Sequence, residues 1–254
     1  MDKGIHATIV TGGGRGIGRA VSLRLAAAGP VIVVGRTEKD LASTVAAIAA
    51  AGGRADMVAG DVRDPAVARA AVAKADALGW TVRNLVCNAG IGRSGPTATF
   101  DMALWREIFA VNVEGAMHFV QACLPRMLAA RGGTICLMSS IAGLKGYACT
   151  AAYAASKHAL VGLARSLGQE HGKHGITVVP ICPGFVEGEM TDRTVAGIME
   201  RRGIGEDEAR QRVAAVNPQR RIIPPEEVAE AVAFVCSGKV PSLGGDPLVM
   251  SGGE

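Results

Sequence analysis

Seven short aliphatic runs punctuate the chain, and most are followed by a longer stretch whose apolar residues recur at helical spacing. The runs are IHATIVT (5–11), VIVVG (31–35), ADMVAG (55–60), NLVCN (84–88), GTICLMS (133–139), ITVVPIC (176–182) and PLVMSG (247–252). The helix-like stretches cover 15–28, 38–51, 65–78, 101–130, 152–172 and 225–236. Strand, helix and strand repeated in this way predict parallel strands joined by right-handed crossovers, with helices on both faces of one sheet. No Pro, Ser or charge-rich linker divides the chain, so residues 1–254 are expected to form one doubly wound α/β domain. Aromatic residues make up only 4% against 49% apolar residues, so the core must be built from Val, Ile, Leu and Ala. That suits strands buried on both faces.

Residues 188–223 break the rhythm. They are polar and read as two helical pieces separated near Gly203 and Gly205. An excursion at the carboxyl end of the sixth strand is where such sheets build a cover over substrate, so a small helical lid is expected there.

Several classes of function are excluded. The net charge of +4 is mild and the Arg201–Arg202 and Arg220–Arg221 pairs are too short for a nucleic-acid stripe. No apolar run is long enough to span a bilayer. The six cysteines show neither CxxC nor zinc spacing, and no third ligand accompanies His171 and His174, so no metal is expected. Thiols in apolar runs predict buried free cysteines and a reducing compartment. Strand-like sequence starts almost at the first residue, which leaves no signal peptide; a soluble cytoplasmic protein is expected. No G-x-S-x-G elbow is present, which disfavours a serine hydrolase.

The turn after the first strand, TGGGRGIG, carries Gly12, Gly13, Gly14, Gly16 and Gly18, followed by a helix. Five glycines exceed the need of a tight turn and allow backbone N–H groups to approach a phosphate closely. The spacing G-x-x-x-G-x-G excludes a P-loop, since no Gly-Lys-Ser/Thr follows. An acidic residue at the end of the second strand would accept hydrogen bonds from an adenosine ribose. Here Arg36 stands there, with Arg15 in the first turn, and guanidinium groups favour a 2′-phosphate. NADP(H) is therefore expected over NAD(H).

Tyr153 and Lys157 lie four residues apart in a helix-like stretch and so share a face. A free tyrosine titrates near 10. A neighbouring ammonium would stabilise its phenolate and bring the phenol toward a useful working range.

Taken in order, these stretches resemble the short-chain dehydrogenase/reductase family over essentially the full chain. Gly12, Gly14, Arg15, Gly16, Ile17 and Gly18 fall in its TGxxxGxG loop. Asp61–Val62 matches its adenine-contacting site, and Asn88, Ala89 and Gly90 match the NAG motif that floors the adenosine pocket. Asn112 in VNVEG matches the family asparagine, Ser140 stands thirteen residues before Tyr153, and Tyr153 with Lys157 completes YxxxK. Pro183–Gly184 opens the loop used against the nicotinamide, followed by Val186. The resemblance implies a Rossmann-type domain with a parallel seven-stranded sheet and hydride exchange between nicotinamide and a carbonyl carbon. It also implies Tyr153 as acid or base and Ser140 as partner of the substrate oxygen. Lys157 is implied to hold the nicotinamide ribose, and the Asn112 side chain a water leading to Lys157. It implies a homotetramer packed through the helices at 101–130 and 152–172.

Two positions depart from the family pattern. Cys87 replaces the asparagine before NAG. Gly188 replaces a threonine, leaving Thr191 or the backbone of Val186 to contact the carboxamide. The substrate pocket is expected between 91–97, 142–150 and 185–215, with Tyr147 a lining residue. The texture resembles 3-oxoacyl-thioester and polyketide ketoreductases. An NAD(H)-dependent 3-hydroxy acid dehydrogenase is the poorer match, because Ala142 stands where its substrate-binding histidine is expected. A non-catalytic NADP-binding regulator is the rival from another class.

Overall fold

The computed structural model describes residues 5–254. Its frame is a seven-stranded, wholly parallel sheet in the order β3-β2-β1-β4-β5-β6-β7. The strands are β1 (Ile5–Thr11), β2 (Val31–Gly35), β3 (Ala55–Ala59), β4 (Trp80–Cys87), β5 (Gly133–Met138), β6 (Ile176–Pro183) and β7 (Leu248–Met250). The winding direction reverses between β1 and β4. The carboxyl ends of these two strands therefore diverge into a crevice, the place where such sheets bind ligands.

Alternate residues of each strand feed opposite cores. Ile9, Leu85, Ile135 and Val178 pack with α3 (Pro65–Ala77), α5 (Gly115–Ala129) and α6 (Ala151–His171). Their sequence neighbours Val10, Val86, Cys136 and Val179 face α1 (Gly16–Ala26) and α9 (Pro225–Cys236) on the other side. Both faces are covered, which is why the strands read as unbroken aliphatic runs. α2 (Glu38–Ala50) packs beside β2 and β3, burying Leu41 and Ile48.

Two elements differ from the sequence expectation. β4 begins at Trp80, four residues earlier than its aliphatic run. A register shift opposite Ala7 and Thr8 leaves Arg83 as the extra residue, and its guanidinium reaches Ala130 O. That polar residue hid the first half of the strand. The expected single helix over 101–130 is α4 (Met102–Phe109) and α5, joined by a π turn over Ala110–Glu114. The wide turn places Asn112 inward, where it is buried.

The 188–223 excursion forms α7 (Glu189–Arg202) and α8 (Glu206–Ala214). Gly203 ends α7 with φ +63°, a left-handed value suited to glycine. These helices carry a small core of their own, with Val195, Ala209 and Val213 packed against Phe185, Ile198 and Ile222. Arg210 holds the base of the unit together, bonding to Glu187, Asp192 and Glu206.

The cysteines are all free. Cys87, Cys123, Cys136 and Cys182 are buried as expected. Cys149 is not: it lies exposed on the loop before α6 with φ +62°. Among the described residues no helix is long and apolar enough to cross a membrane.

Candidate active site

The crevice between β1 and β4 is fastened by Thr11. Its hydroxyl accepts from the N–H groups of Asn88 and Ala89, both at 3.0 Å. Asn88 returns bonds from Nδ2 to the carbonyls of Thr11 (3.0 Å) and Gly12 (3.3 Å). The two strand ends are thus locked at a fixed separation. Thr11 was not singled out from the sequence; its signal was a hydroxyl set directly before the glycines.

The glycines of the first turn divide by role. A Cβ on Gly18 would lie 2.1 Å from Gly12 O, and one on Gly13 would lie 2.2 Å from Val33 Cγ1. A Cβ on Gly14 would meet Asp40 Cβ at 2.9 Å. These three serve close packing inside the protein. Gly16 differs: φ is +50° and a Cβ there would meet nothing within 4 Å, so it faces open space. Next to it, no side chain caps the N-terminus of α1 and its first turn holds no acidic residue. Helices α3 and α4, by contrast, are capped by Asp64 and Asp101. A helix start with no side-chain cap and no acidic residue in its first turn, fronting an open glycine, suits the pyrophosphate of a dinucleotide. The residues present therefore fit a nicotinamide dinucleotide along this crevice. Ile17 packs partly into the α1–α9 core and supports the turn from beneath.

At the adenosine end, Arg36 is exposed just beyond β2. Asp61 accepts from Arg63 Nε (3.1 Å), Nη2 (2.8 Å) and backbone N–H (2.9 Å). The Arg63 hydrogen bonds hold its carboxyl below the usual range, with Arg36 adding a smaller effect. The Val62 side chain is buried beneath Gly115, so only its backbone can face a ligand. Arg15, expected to join Arg36 at a 2′-phosphate, is instead ion-paired with Glu189 at the start of α7.

The proton-handling groups meet where β5, β6 and α6 converge. Ser140 follows β5 and starts a short 3-10 turn, accepting from Ala142 N–H at 3.1 Å and donating to Pro183 O at 3.4 Å. Tyr153 and Lys157 stand on one face of α6, with Nζ 5.6 Å from the ring centroid. Lys157 is buried and donates to Met138 O at 2.7 Å. Ser139 Oγ donates to Lys157 O at 2.8 Å and pins α6 to the strand end. Gly143 is needed there, since its Cβ would lie 2.3 Å from Ser139 Oγ.

The electrostatics correct the expectation of an acidified phenol. Burial pushes the Tyr153 phenol up, while the Ser140 hydroxyl works in the opposite direction. Burial brings Lys157 down to about 8. The protein as it stands thus keeps Tyr153 a neutral acid. The Cys182 thiol, buried in β6, adjoins both groups; burial raises it and the Ser139 and Ser140 contacts oppose that rise.

Asn112 makes three side-chain bonds within the protein. Its Oδ1 accepts from Ile91 N–H at 2.8 Å, and Nδ2 donates to Ile91 O and to Ser156 Oγ, both at 2.9 Å. Ser156 Oγ in turn donates to Tyr153 O at 2.7 Å. The carboxamide spends both its donors on protein and braces the 91–97 segment to the tyrosine. A Cβ on Gly90 would lie 3.3 Å from Asn112 Oδ1 and 3.4 Å from Lys157 Nζ, so glycine keeps this floor open. Ser156 was missed from the sequence; its signal was a hydroxyl inside a helix directly before the lysine.

On the substrate side, Gly92 lies against the Tyr153 ring and close to Met190 of α7. Gly95 N–H donates to Cys149 O at 2.8 Å and joins the 91–97 and 142–150 segments. Pro183 ends β6, and Gly184 N–H donates to Met250 O at 2.9 Å. Thr191 Oγ1 donates to Val186 O at 2.6 Å, so these two expected carboxamide contacts are spent partly on each other.

A glycine-lined crevice for a dinucleotide beside a Ser–Tyr–Lys cluster defines a nicotinamide-dependent oxidoreductase. The short chain dehydrogenase family model matches residues 6–198. The chain belongs to the short-chain dehydrogenase/reductase family. It is 40% identical over 247 residues to the short-chain reductase protein NovJ of Streptomyces niveus, covering 97% of this chain and 92% of the relative. It is 33% identical to the 3-oxoacyl-[acyl-carrier-protein] reductase FabG of Escherichia coli K12, covering 96% and 95%. The solved structure of an actinorhodin polyketide ketoreductase variant with NADPH superposes with a TM-score of 0.93 at 33% identity, covering 98% and 97%.

Proposed function

We propose that this protein is an NADP(H)-dependent carbonyl reductase acting on a 3-oxoacyl thioester or a related ketone. The observation that carries the reading is the convergence of Ser140, Tyr153 and Lys157 beside an open, uncapped helix start. When bound, the dinucleotide supplies the hydride in reduction or accepts it in oxidation. Tyr153 gives its phenolic proton to the carbonyl oxygen as that oxygen gains charge. The Ser140 hydroxyl donates to the same oxygen, and Lys157 below pH 8 contributes the positive charge that offsets a phenolate. Asn112 and Ser156 keep the Tyr153 backbone in register with the 91–97 wall.

Arg36 supports a 2′-phosphate, as an exposed guanidinium beside the adenosine end. Residues 188–223 act as a lid: α7 begins at the crevice and brings Met190 close to Gly92 near Tyr153. The names of the relatives support a thioester substrate. The free thiols favour a reducing, cytoplasmic setting, and α4–α6 offer the surfaces for a homotetramer.

The purified protein is expected to oxidise NADPH with 3-oxoacyl thioesters. Tyr153→Phe should lose turnover at least about 10³-fold while binding NADPH, read by cofactor fluorescence, with unchanged affinity. Bound NADPH with no turnover of any thioester or ketone would leave a non-catalytic binding protein.

A further inference from the structure

The loop between Ser140 and Tyr153 carries a charged cradle with no part in the proton chemistry. Lys145 Nζ and Tyr147 Oη both bond to Glu254 Oε1, each at 2.6 Å. Lys145 also lies 5.4 Å above the Tyr147 ring. The Glu254 side chain is only 14% exposed, whereas that of Lys145 is 47% exposed. Residues 107 positions apart thus meet around one carboxylate.

The cradle is preformed. Tyr147 O accepts from Thr150 Oγ1 at 2.8 Å, which fixes the turn leading into α6. Cys149 O accepts from Gly95 N–H, so the same loop is joined to the facing 91–97 wall. Burial and the adjacent Glu254 push the Tyr147 phenol up, so it remains a donor. An ammonium and a neutral phenol aimed at one point suit a carboxylate in charge and in hydrogen-bond direction. The carboxylate seated there is joined to the domain through Gly252 and Gly253, with φ of +67° and +103°. Ser251 Oγ donates to Glu254 O at 3.3 Å and steadies its backbone. A substrate carboxylate would replace it like for like, while Glu254 regains hydration.

We propose that Lys145 and Tyr147 form a carboxylate subsite in the wall of the substrate pocket, with Glu254 as its exchangeable internal occupant. This rests on the carbonyl-reductase reading and selects the related-ketone branch of its substrate class: ketones that carry a free carboxylate, which a 3-oxoacyl thioester has only when its acyl chain bears one. Specificity then arises because a neutral ketone leaves Glu254 in place, whereas a keto acid displaces it and gains the same two bonds.

The test compares keto acids of increasing length, from acetoacetate and levulinate upward, with their methyl esters. In Glu254→Gln the KM of at least one keto acid is expected to fall about five- to tenfold, with kcat and the ester KM unchanged. Adding Lys145→Met should erase the gain and the distinction between acid and ester. Equal damage to acids and esters in Glu254→Gln would make Glu254 a permanent loop brace and overturn the proposal, as would no change in either. A second readout needs no turnover. Acylation of Lys145 by acetic anhydride, mapped by mass spectrometry in Glu254→Gln, should be blocked by the keto acid and not by the ester. Protection without reduction of any ketone would keep the subsite and sink the reductase reading. Reduction of ketones without protection or acid preference would do the reverse.

Discussion

Asn112 closes its carboxamide onto both backbone groups of Ile91, accepting at 2.8 Å and donating at 2.9 Å. The second amide hydrogen goes to Ser156, which holds the Tyr153 carbonyl. One side chain in a π turn therefore ties the substrate-side loop to the backbone of the proposed acid.

Asn112→Ala should leave buried partners unsatisfied and cost about 2–3 kcal/mol of stability. Positioning predicts a fall in kcat well beyond any rise in cofactor KM. Ser156→Ala, which spares the bonds to Ile91, should show a smaller fall in kcat and in thermal midpoint. Equal KM and kcat effects in both variants would mean general loosening.

Lys157 makes stability depend on pH with a definite sign. Burial lowers its folded value to about 8 from an ordinary 10.5. The unfolded chain thus binds the extra proton between these limits, and stability rises with pH across that window. The ammonium penalty is present in full below pH 8 and is lost by about pH 10.5. Relative to Lys157→Met, the wild-type unfolding free energy should rise by about 3 kcal/mol over this range, measured by urea denaturation. A flat difference would show that the ammonium is well solvated.

Arg36→Asp removes the guanidinium proposed for the 2′-phosphate and places a carboxylate near Asp61. The ratio of kcat/KM for NADPH over NADH should fall at least about 100-fold, by loss of a charge-assisted contact and gain of repulsion. An unchanged ratio would remove Arg36 from cofactor selection.

Gly18→Ala and Gly16→Ala should separate packing from ligand approach. The first forces a Cβ to 2.1 Å from Gly12 O and should cost about 2–3 kcal/mol in stability. The second enters open space and costs only the left-handed φ, about 1 kcal/mol, yet should weaken dinucleotide affinity about tenfold or more. Calorimetry and fluorescence titration read the two effects.

The sequence by itself determined the doubly wound sheet. Strands buried on both faces must be aliphatic throughout, and β1, β2 and β6 begin at the residues where their runs begin. It also determined which residues approach one another near the proton chemistry, because helical spacing alone puts Tyr153 and Lys157 on one face. The tertiary structure alone decided what those groups do. Whether a phenol is raised or lowered depends on burial and on a neighbouring serine thirteen residues away. That Asn112 reaches the Ile91 backbone depends on a π turn that no local pattern announces. Only the fold could bring Glu254 onto Lys145 and Tyr147, because that ion pair closes across more than a hundred residues and is fixed by packing rather than by spacing.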